Sequence, residues 1–132
     1  MNNGSTTRKL PKGTAQDRLN FLARYEPAIV LLTGSAAGSE FPLVSDCMIL
    51  GRGPDVDFAF EDDHMSRQHA ALELTADGFQ LRDLGSTNGI LVNDKPVDVA
   101  LLQHGDRFAI GQLTFQYVVL ERSAQAEFEV SE

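Results

Sequence analysis

The sequence predicts an all-β sandwich, and three observations carry that prediction. Beyond Pro27 the apolar residues fall in short runs or strict alternation, with a period near two rather than 3.6. Turn residues punctuate these runs regularly, as at Ala76-Asp77-Gly78 and Asn88-Gly89. About ten such runs fit within 132 residues, and no internal stretch reads as a helix. Two packed sheets bury the inward-facing residues of such strands, and their loops gather at the two ends.

In order along the chain, residues 1–13 are rich in Asn, Gly, Ser, Thr and basic side chains, with too little apolar surface to order themselves. The run Thr14-Ala15-Gln16-Asp17 predicts a helix start capped by Thr14, with Leu19, Leu22 and Ala23 as an apolar face reaching Tyr25. Pro27 is expected to end it. Strands are predicted at 28–33, 40–44, 47–51, 57–60, 69–75, 78–83, 90–93, near 96–98, at 106–110 and at 113–120. Alternation is clearest for Ala70, Leu72 and Leu74, and for Leu113, Phe115, Tyr117 and Val119. The division is therefore a basic arm with a short helix over 1–26, one domain over 27–121, and an acidic tail or linker over 122–132.

Charge and cysteine content restrict the function. Eleven basic and nineteen acidic side chains give a net charge of −8, which argues against unaided binding to nucleic acid or anionic membranes. The distribution is uneven: residues 1–24 carry five basic groups and one acid, and the rest carry six basic groups and eighteen acids. The lone Cys47 excludes an internal disulfide and fits a reducing, cytoplasmic setting, with the thiol expected to be buried in its strand and without a redox role. No apolar run approaches the length of a membrane span, and the N-terminus lacks a signal-peptide core.

Three loops carry donors suited to an anion, each starting where a predicted strand ends. Gly51-Arg52-Gly53 lets the backbone turn and directs a guanidinium fork off the sheet end. His64-Met65-Ser66-Arg67-Gln68-His69 offers a hydroxyl and a second cation. Leu84-Gly85-Ser86-Thr87-Asn88-Gly89 offers hydroxyls, an amide and closely spaced N–H groups.

Taken together, Gly51-Arg52, Ser66-Arg67-Gln68-His69 and the Leu84–Gly89 run followed by Asn93 resemble the signature of the forkhead-associated (FHA) family over about residues 27–121. The resemblance implies an FHA-type β-sandwich of about eleven strands that binds phosphothreonine peptides through loops at one end. It implies that Arg52 clamps phosphate and backbone, that Ser66 donates its hydroxyl to phosphate, and that Arg67 adds charge. It also implies that Thr87 lines the phosphate and methyl pocket and that Asn88 grips the peptide backbone. Gly51, His69, Gly85, Gly89 and Asn93 are implied as supports of the binding loops.

The physics of such recognition is consistent. Phosphothreonine brings three strong acceptors and about two negative charges, and two or three charge-assisted hydrogen bonds of about 1.5–3 kcal/mol each suit micromolar affinity. A glutamate, planar and singly charged, should mimic it poorly.

Other readings are weaker. Arg52 could simply pair with Asp55 or Asp57, and Ser66, Thr87 and Asn88 could be ordinary turn residues. A Ser66–His69 nucleophile lacks an orienting acid and an oxyanion motif. Asp62, Asp63, His64 and His69 as metal ligands lack helical His spacing, since the two histidines lie five residues apart. No Lys-Ser/Thr follows the Gly-Ser-Thr-Asn-Gly run, so it is not a Walker loop. The expectation is a binding module without catalysis, metal or cofactor.

Two further expectations concern the ends. The resemblance also suggests that Thr6 or Thr7 in the arm is a phosphorylation site for a Ser/Thr kinase, and about 20 residues of coil, spanning roughly 25 Å, would let the arm dock at Arg52 and Ser66 of its own or a neighbouring domain. The resemblance leaves an alternative function open: a phosphate-independent assembly module using a sheet face, or the regulatory piece of a larger protein with an output domain such as a diguanylate cyclase.

Overall fold

A computed structural model describes residues 13–122. Thr14 caps helix α1 (Ala15–Arg24), with its hydroxyl accepting from the Asp17 N–H while the Asp17 carboxylate accepts from the Thr14 N–H. The buried side of α1 differs from the expected one: Phe21 and Leu22 pack against the core, whereas Leu19 and Ala23 are exposed.

Eleven strands follow: β1 (Tyr25–Leu31), β2 (Glu40–Pro42), β3 (Cys47–Gly51), β4 (Phe58–Ala59), β5 (Ala70–Thr75), β6 (Gly78–Asp83), β7 (Ile90–Val92), β8 (Lys95–Val97), β9 (Val99–Leu101), β10 (Arg107–Ile110) and β11 (Leu113–Glu121). They form a six-stranded sheet, β2-β1-β11-β10-β7-β8, and a five-stranded sheet, β4-β3-β5-β6-β9. The inner faces meet in a core built from Ile29, Phe108, Phe115 and Tyr117 on one side and Leu50, Leu72, Phe79 and Leu81 on the other. The Phe108 and Phe115 rings stack 5.2 Å apart.

Three expectations are corrected. The first strand starts earlier than expected: α1 ends at Arg24, with Tyr25 as C-cap and Pro27 two residues beyond it as a helix stop allows, but β1 begins at Tyr25 and buries Pro27 within it. The Pro27 carbonyl accepts from Leu43 just past the end of β2, so its missing N–H lies on that same side and removes no bond to β11. A strand unseen in the sequence, Val99–Leu101, pairs with β6 because Asp98 alone carries the chain from one sheet to the other. Cys47 is exposed: with Met48 and Leu50 turned inward, the alternation of β3 sends Cys47 outward. Partial burial, then the carboxylates of Glu73, Asp57 and Asp46, push its thiol pKa up, which disfavours the reactive thiolate.

The pairing of β3, β5 and β6 determines where the motifs meet. β5 is antiparallel to both neighbours, so the end of β3, the start of β5 and the end of β6 lie at one end of the sandwich. All three loops singled out in the sequence open there.

Candidate functional site

Gly51 lets the first two loops approach closely. A Cβ on it would overlap the Arg67 carbonyl, so only glycine fits. The loops are joined along their backbones, with Arg52 N–H donating to the Ser66 carbonyl at 3.0 Å and Gly53 N–H to the Arg67 carbonyl at 3.1 Å. Arg52 also donates from Nε to the Met65 carbonyl at 2.9 Å. That single bond holds the guanidinium by its inner nitrogen and leaves both terminal nitrogens without an acceptor among the described residues. Neither Arg52 nor Arg67 has a described carboxylate within 4.0 Å, so the expected competitors Asp55 and Asp57 do not neutralise Arg52. Asp57 instead accepts from the Ile49 N–H.

His69 joins the second loop to the third. Its ring is fully buried, Nδ1 accepts from the Ser66 N–H at 3.0 Å, and Nε2 lies 2.7 Å from the Gly89 carbonyl. These partners set the tautomer: Nδ1 must be bare to accept, and Nε2 must carry the proton to donate. Neither nitrogen remains to receive a proton from the Ser66 hydroxyl, which removes the nucleophilic reading of this pair. The Ser66 hydroxyl oxygen accepts from the Thr87 N–H at 3.1 Å, and its own hydrogen stays available as a donor.

The third loop is held from within and from across. The Ser86 hydroxyl bonds the Asp83 carboxylate and accepts from the Gly89 N–H at 2.8 Å. Asn88 donates from Nδ2 to the His64 carbonyl at 2.8 Å. Gly85 and Gly89 adopt φ of +76° and +77° with open space around them, so their requirement is conformational, whereas Asn88 keeps a negative φ.

Arg52, Ser66, Arg67, Thr87 and Asn88 are thus gathered at one sheet end around loops braced by Gly51, His69, Gly85 and Gly89. Asn93 does not belong with them. It follows β7 at the end away from Gly89, in a turn with φ of +50° at Asn93 and +70° at Asp94. Its side chain accepts from the Arg107 N–H at 3.0 Å and donates to Asp106 at 3.1 Å, so it braces a different connection. Thr6 and Thr7 lie outside the described residues. Among the described residues no three His, Cys, Asp or Glu side chains converge as metal ligands, and His64 and His69 face different partners.

Three contributors escaped the sequence reading: Met65, whose carbonyl orients Arg52, and Asp62 with Gln112, which hold the same loop from behind. The signal for Met65 was its apolar character within a polar loop; its side chain is buried in the core.

Chemically, a guanidinium fork whose terminal nitrogens meet no acceptor among the described residues, and a hydroxyl hydrogen free to donate, are the groups suited to a small oxyanion. The family model described as "Inner membrane component of T3SS, cytoplasmic domain" (Yop-YscD_cpl) matches residues 30–120. The glycogen accumulation regulator GarA of Mycolicibacterium smegmatis is 39% identical over 95 residues, covering 72% of this chain and 60% of GarA, so the chain spans less than two thirds of that relative. The oxoglutarate dehydrogenase inhibitor of Corynebacterium jeikeium is 37% identical over 98 residues, covering 74% of this chain and 67% of the inhibitor. A domain solved in a structural and functional analysis of phosphothreonine-dependent FHA domain interactions superposes with a TM-score of 0.65 at 32% identity, over 70% of this chain and 95% of that one. With the two sheets and the joined loops already in place, these matches establish that the chain belongs to the forkhead-associated family.

Proposed function

We propose that the chain is a phosphothreonine-peptide-binding signalling module whose site is Arg52, Ser66, Arg67, Thr87 and Asn88. The observation that carries this reading is the state of Arg52: anchored through Nε to the Met65 carbonyl, with both terminal nitrogens unengaged among the described residues. A fork held in this way loses little freedom on meeting a phosphate, and lower ordering cost means tighter binding. The Ser66 hydroxyl, fixed as an acceptor for Thr87 N–H, can then donate its hydrogen to a second phosphate oxygen. Asn88 exchanges or shares its His64 carbonyl for a carbonyl of the peptide. The names of the relatives, a regulator and an enzyme inhibitor, support a module that acts by binding partners and not by catalysis.

The setting proposed is the cytoplasm, where Ser/Thr kinases generate such ligands; no helix among the described residues is long and apolar enough to cross a membrane. The coil of about 20 residues expected between Thr7 and Pro27 is replaced over residues 15–24 by α1, and Gly13 lies beside Ala76 at the β5–β6 turn, the end opposite the site. A phosphorylated Thr6 or Thr7 is therefore proposed as a ligand for the pocket of a neighbouring domain, residues 1–24 at +4 meeting a remainder at −12. Chemical-shift changes at Arg52, Ser66 and Asn88 on phosphorylating Thr7 would support this docking, and unchanged shifts would reject it. The principal test is calorimetric titration of the chain with one peptide in phosphothreonine, phosphoserine and unphosphorylated forms, beside Arg52→Ala. Preference for phosphothreonine that Arg52→Ala abolishes supports the reading.

One observation favours the phosphate-independent alternative. On the outer face of β1, β2 and β11, an apolar depression is lined by Pro42, Val44, Val118 and Leu120, with Val44 and Leu120 left 71% and 60% exposed. Its polar edge holds Glu40 and the Arg122–Glu26 ion pair, which suits an apolar partner segment with a polar flank. Leu120→Glu would abolish such binding and leave phosphopeptide affinity intact.

A further inference from the structure

The loop that presents Ser66 and orients Arg52 is held from behind by a buried carboxylate. Asp62 is 7% exposed, and among the described residues its carboxylate has no arginine or lysine partner, the His64 ring lying 3.8 Å from Oδ1. Both of its oxygens are nevertheless occupied: Oδ1 accepts from the His64 N–H at 2.9 Å, and Oδ2 from the Gln112 N–H at 2.7 Å. Gln112 belongs to the hairpin between β10 and β11, fifty residues away in sequence. The Asp62 carbonyl also accepts from the Met65 N–H at 3.0 Å, and the Met65 carbonyl receives Arg52 Nε at 2.9 Å. A continuous path of hydrogen bonds therefore runs from the β10–β11 hairpin through Asp62 and Met65 to the guanidinium.

Geometry on the far side of Asp62 leaves it little room to move. Gly111, with φ of +60°, sits so close that a Cβ there would lie 2.7 Å from Asp62 Oδ2. Electrostatics makes the placement informative. A negative charge behind Arg52 opposes anion binding, and burying a charge is costly unless its hydrogen bonds repay it. The backbone amides of His64 and Gln112 are what this carboxylate satisfies, and only a group that accepts at both oxygens can satisfy both.

We propose that Asp62 is a positioning residue for the phosphate site, fastening the Ser66 loop to the β10–β11 hairpin so that the Met65 carbonyl aims Arg52. The proposal rests on the phosphopeptide reading only for its binding consequence, since the aim of Arg52 is a property of the free protein.

The test uses the full chain, isotopically labelled, as Asp62→Asn, Asp62→Ala and Gly111→Ala. Two quantities are read: solvent exchange of the Arg52 Nε–H in the free protein, and affinity for a phosphothreonine peptide that binds the unaltered chain. Asp62→Ala is expected to expose the Arg52 Nε–H to exchange and weaken the peptide about tenfold, equivalent to about 1.4 kcal/mol. Asp62→Asn, which keeps one acceptor but turns an NH2 toward an N–H donor, should weaken it less. Gly111→Ala should act in the same direction without touching any phosphate-binding group. If charge were all that mattered, Asp62→Asn would bind phosphopeptide more tightly than the unaltered chain, and that result overturns the proposal. So does an Arg52 Nε–H that keeps its protection in Asp62→Ala. Should Asp62→Ala fail to fold, Asp62→Asn decides by the sign of its affinity change. If the unaltered chain bound no phosphopeptide, the functional reading would fall while the exchange measurement still decided the role of Asp62.

Discussion

His69→Ala separates support of the binding loops from contact with a ligand. The substitution removes a buried ring that accepts from the Ser66 N–H and donates to the Gly89 carbonyl, leaving both backbone groups without those partners. Each orphaned group costs about 1–3 kcal/mol when buried. Ser66 and Gly89 are only half-buried and water can reach them in part, so the lower part of that range applies. With the packing lost from a fully buried side chain, the total is about 2–4 kcal/mol. That is a large share of the roughly 5–15 kcal/mol that stabilises a domain, and it corresponds to a fall in Tm of roughly 10–20 °C. The assay is urea unfolding of both proteins, followed by circular dichroism, with the slope checked for equality before the midpoints are compared. Destabilisation below about 1 kcal/mol would refute the reasoning. If binding were then lost with stability intact, His69 would be a ligand contact and not a brace.

Two further outcomes follow from the same geometry. Gly51→Ala should destabilise by about 1–3 kcal/mol, because its Cβ meets the Arg67 backbone carbonyl; Gly85→Ala, with open space and only a φ of +76° to strain, should cost about 1–2 kcal/mol, and urea midpoints of the pair test the order. Burial pushes the Tyr117 phenol up to about 12, although its oxygen accepts from the Phe79 N–H. The unfolded phenol ionises near pH 10, so stability is fully present below that value and is lost as pH rises from about 10 to about 12, by about 1.4 kcal/mol per unit. Tyr117→Phe should flatten that part of the stability profile, and an unchanged profile would contradict the assignment.

The strands were legible where burial alternates or runs continuously. Residues 47–51 and 78–83 were read to the residue because Met48, Leu50, Phe79 and Leu81 all turn into one core. Val99–Leu101 was not legible, since a strand boundary normally shows as a turn and Asp98 makes none. The start of β1 at Tyr25 was hidden for a related reason: a proline in a strand costs little when its nitrogen faces away from a partner, and only the pairing reveals that. Cys47 looked buried because cysteine usually is; strand parity decided otherwise. The site was legible as far as side chains meet a ligand through short motifs, as at Gly51-Arg52 and the Ser66–His69 run. Asp62 was not, because its partners are backbone amides, one of them brought to it by a hairpin fifty residues away. Asn93 fitted the motif spacing, yet three residues of strand carry it away from the loops.

The central claim is that Arg52 is a preset clamp for phosphothreonine. Calorimetric titration of the chain with phosphothreonine, phosphoserine and unphosphorylated versions of one peptide, repeated with Arg52→Ala, tests it most directly. The proposal predicts micromolar affinity for the phosphothreonine form, on the order of −8 kcal/mol, much weaker binding of the other two, and loss of binding in Arg52→Ala. Equal binding of all three peptides, or affinity unchanged by Arg52→Ala, would contradict it.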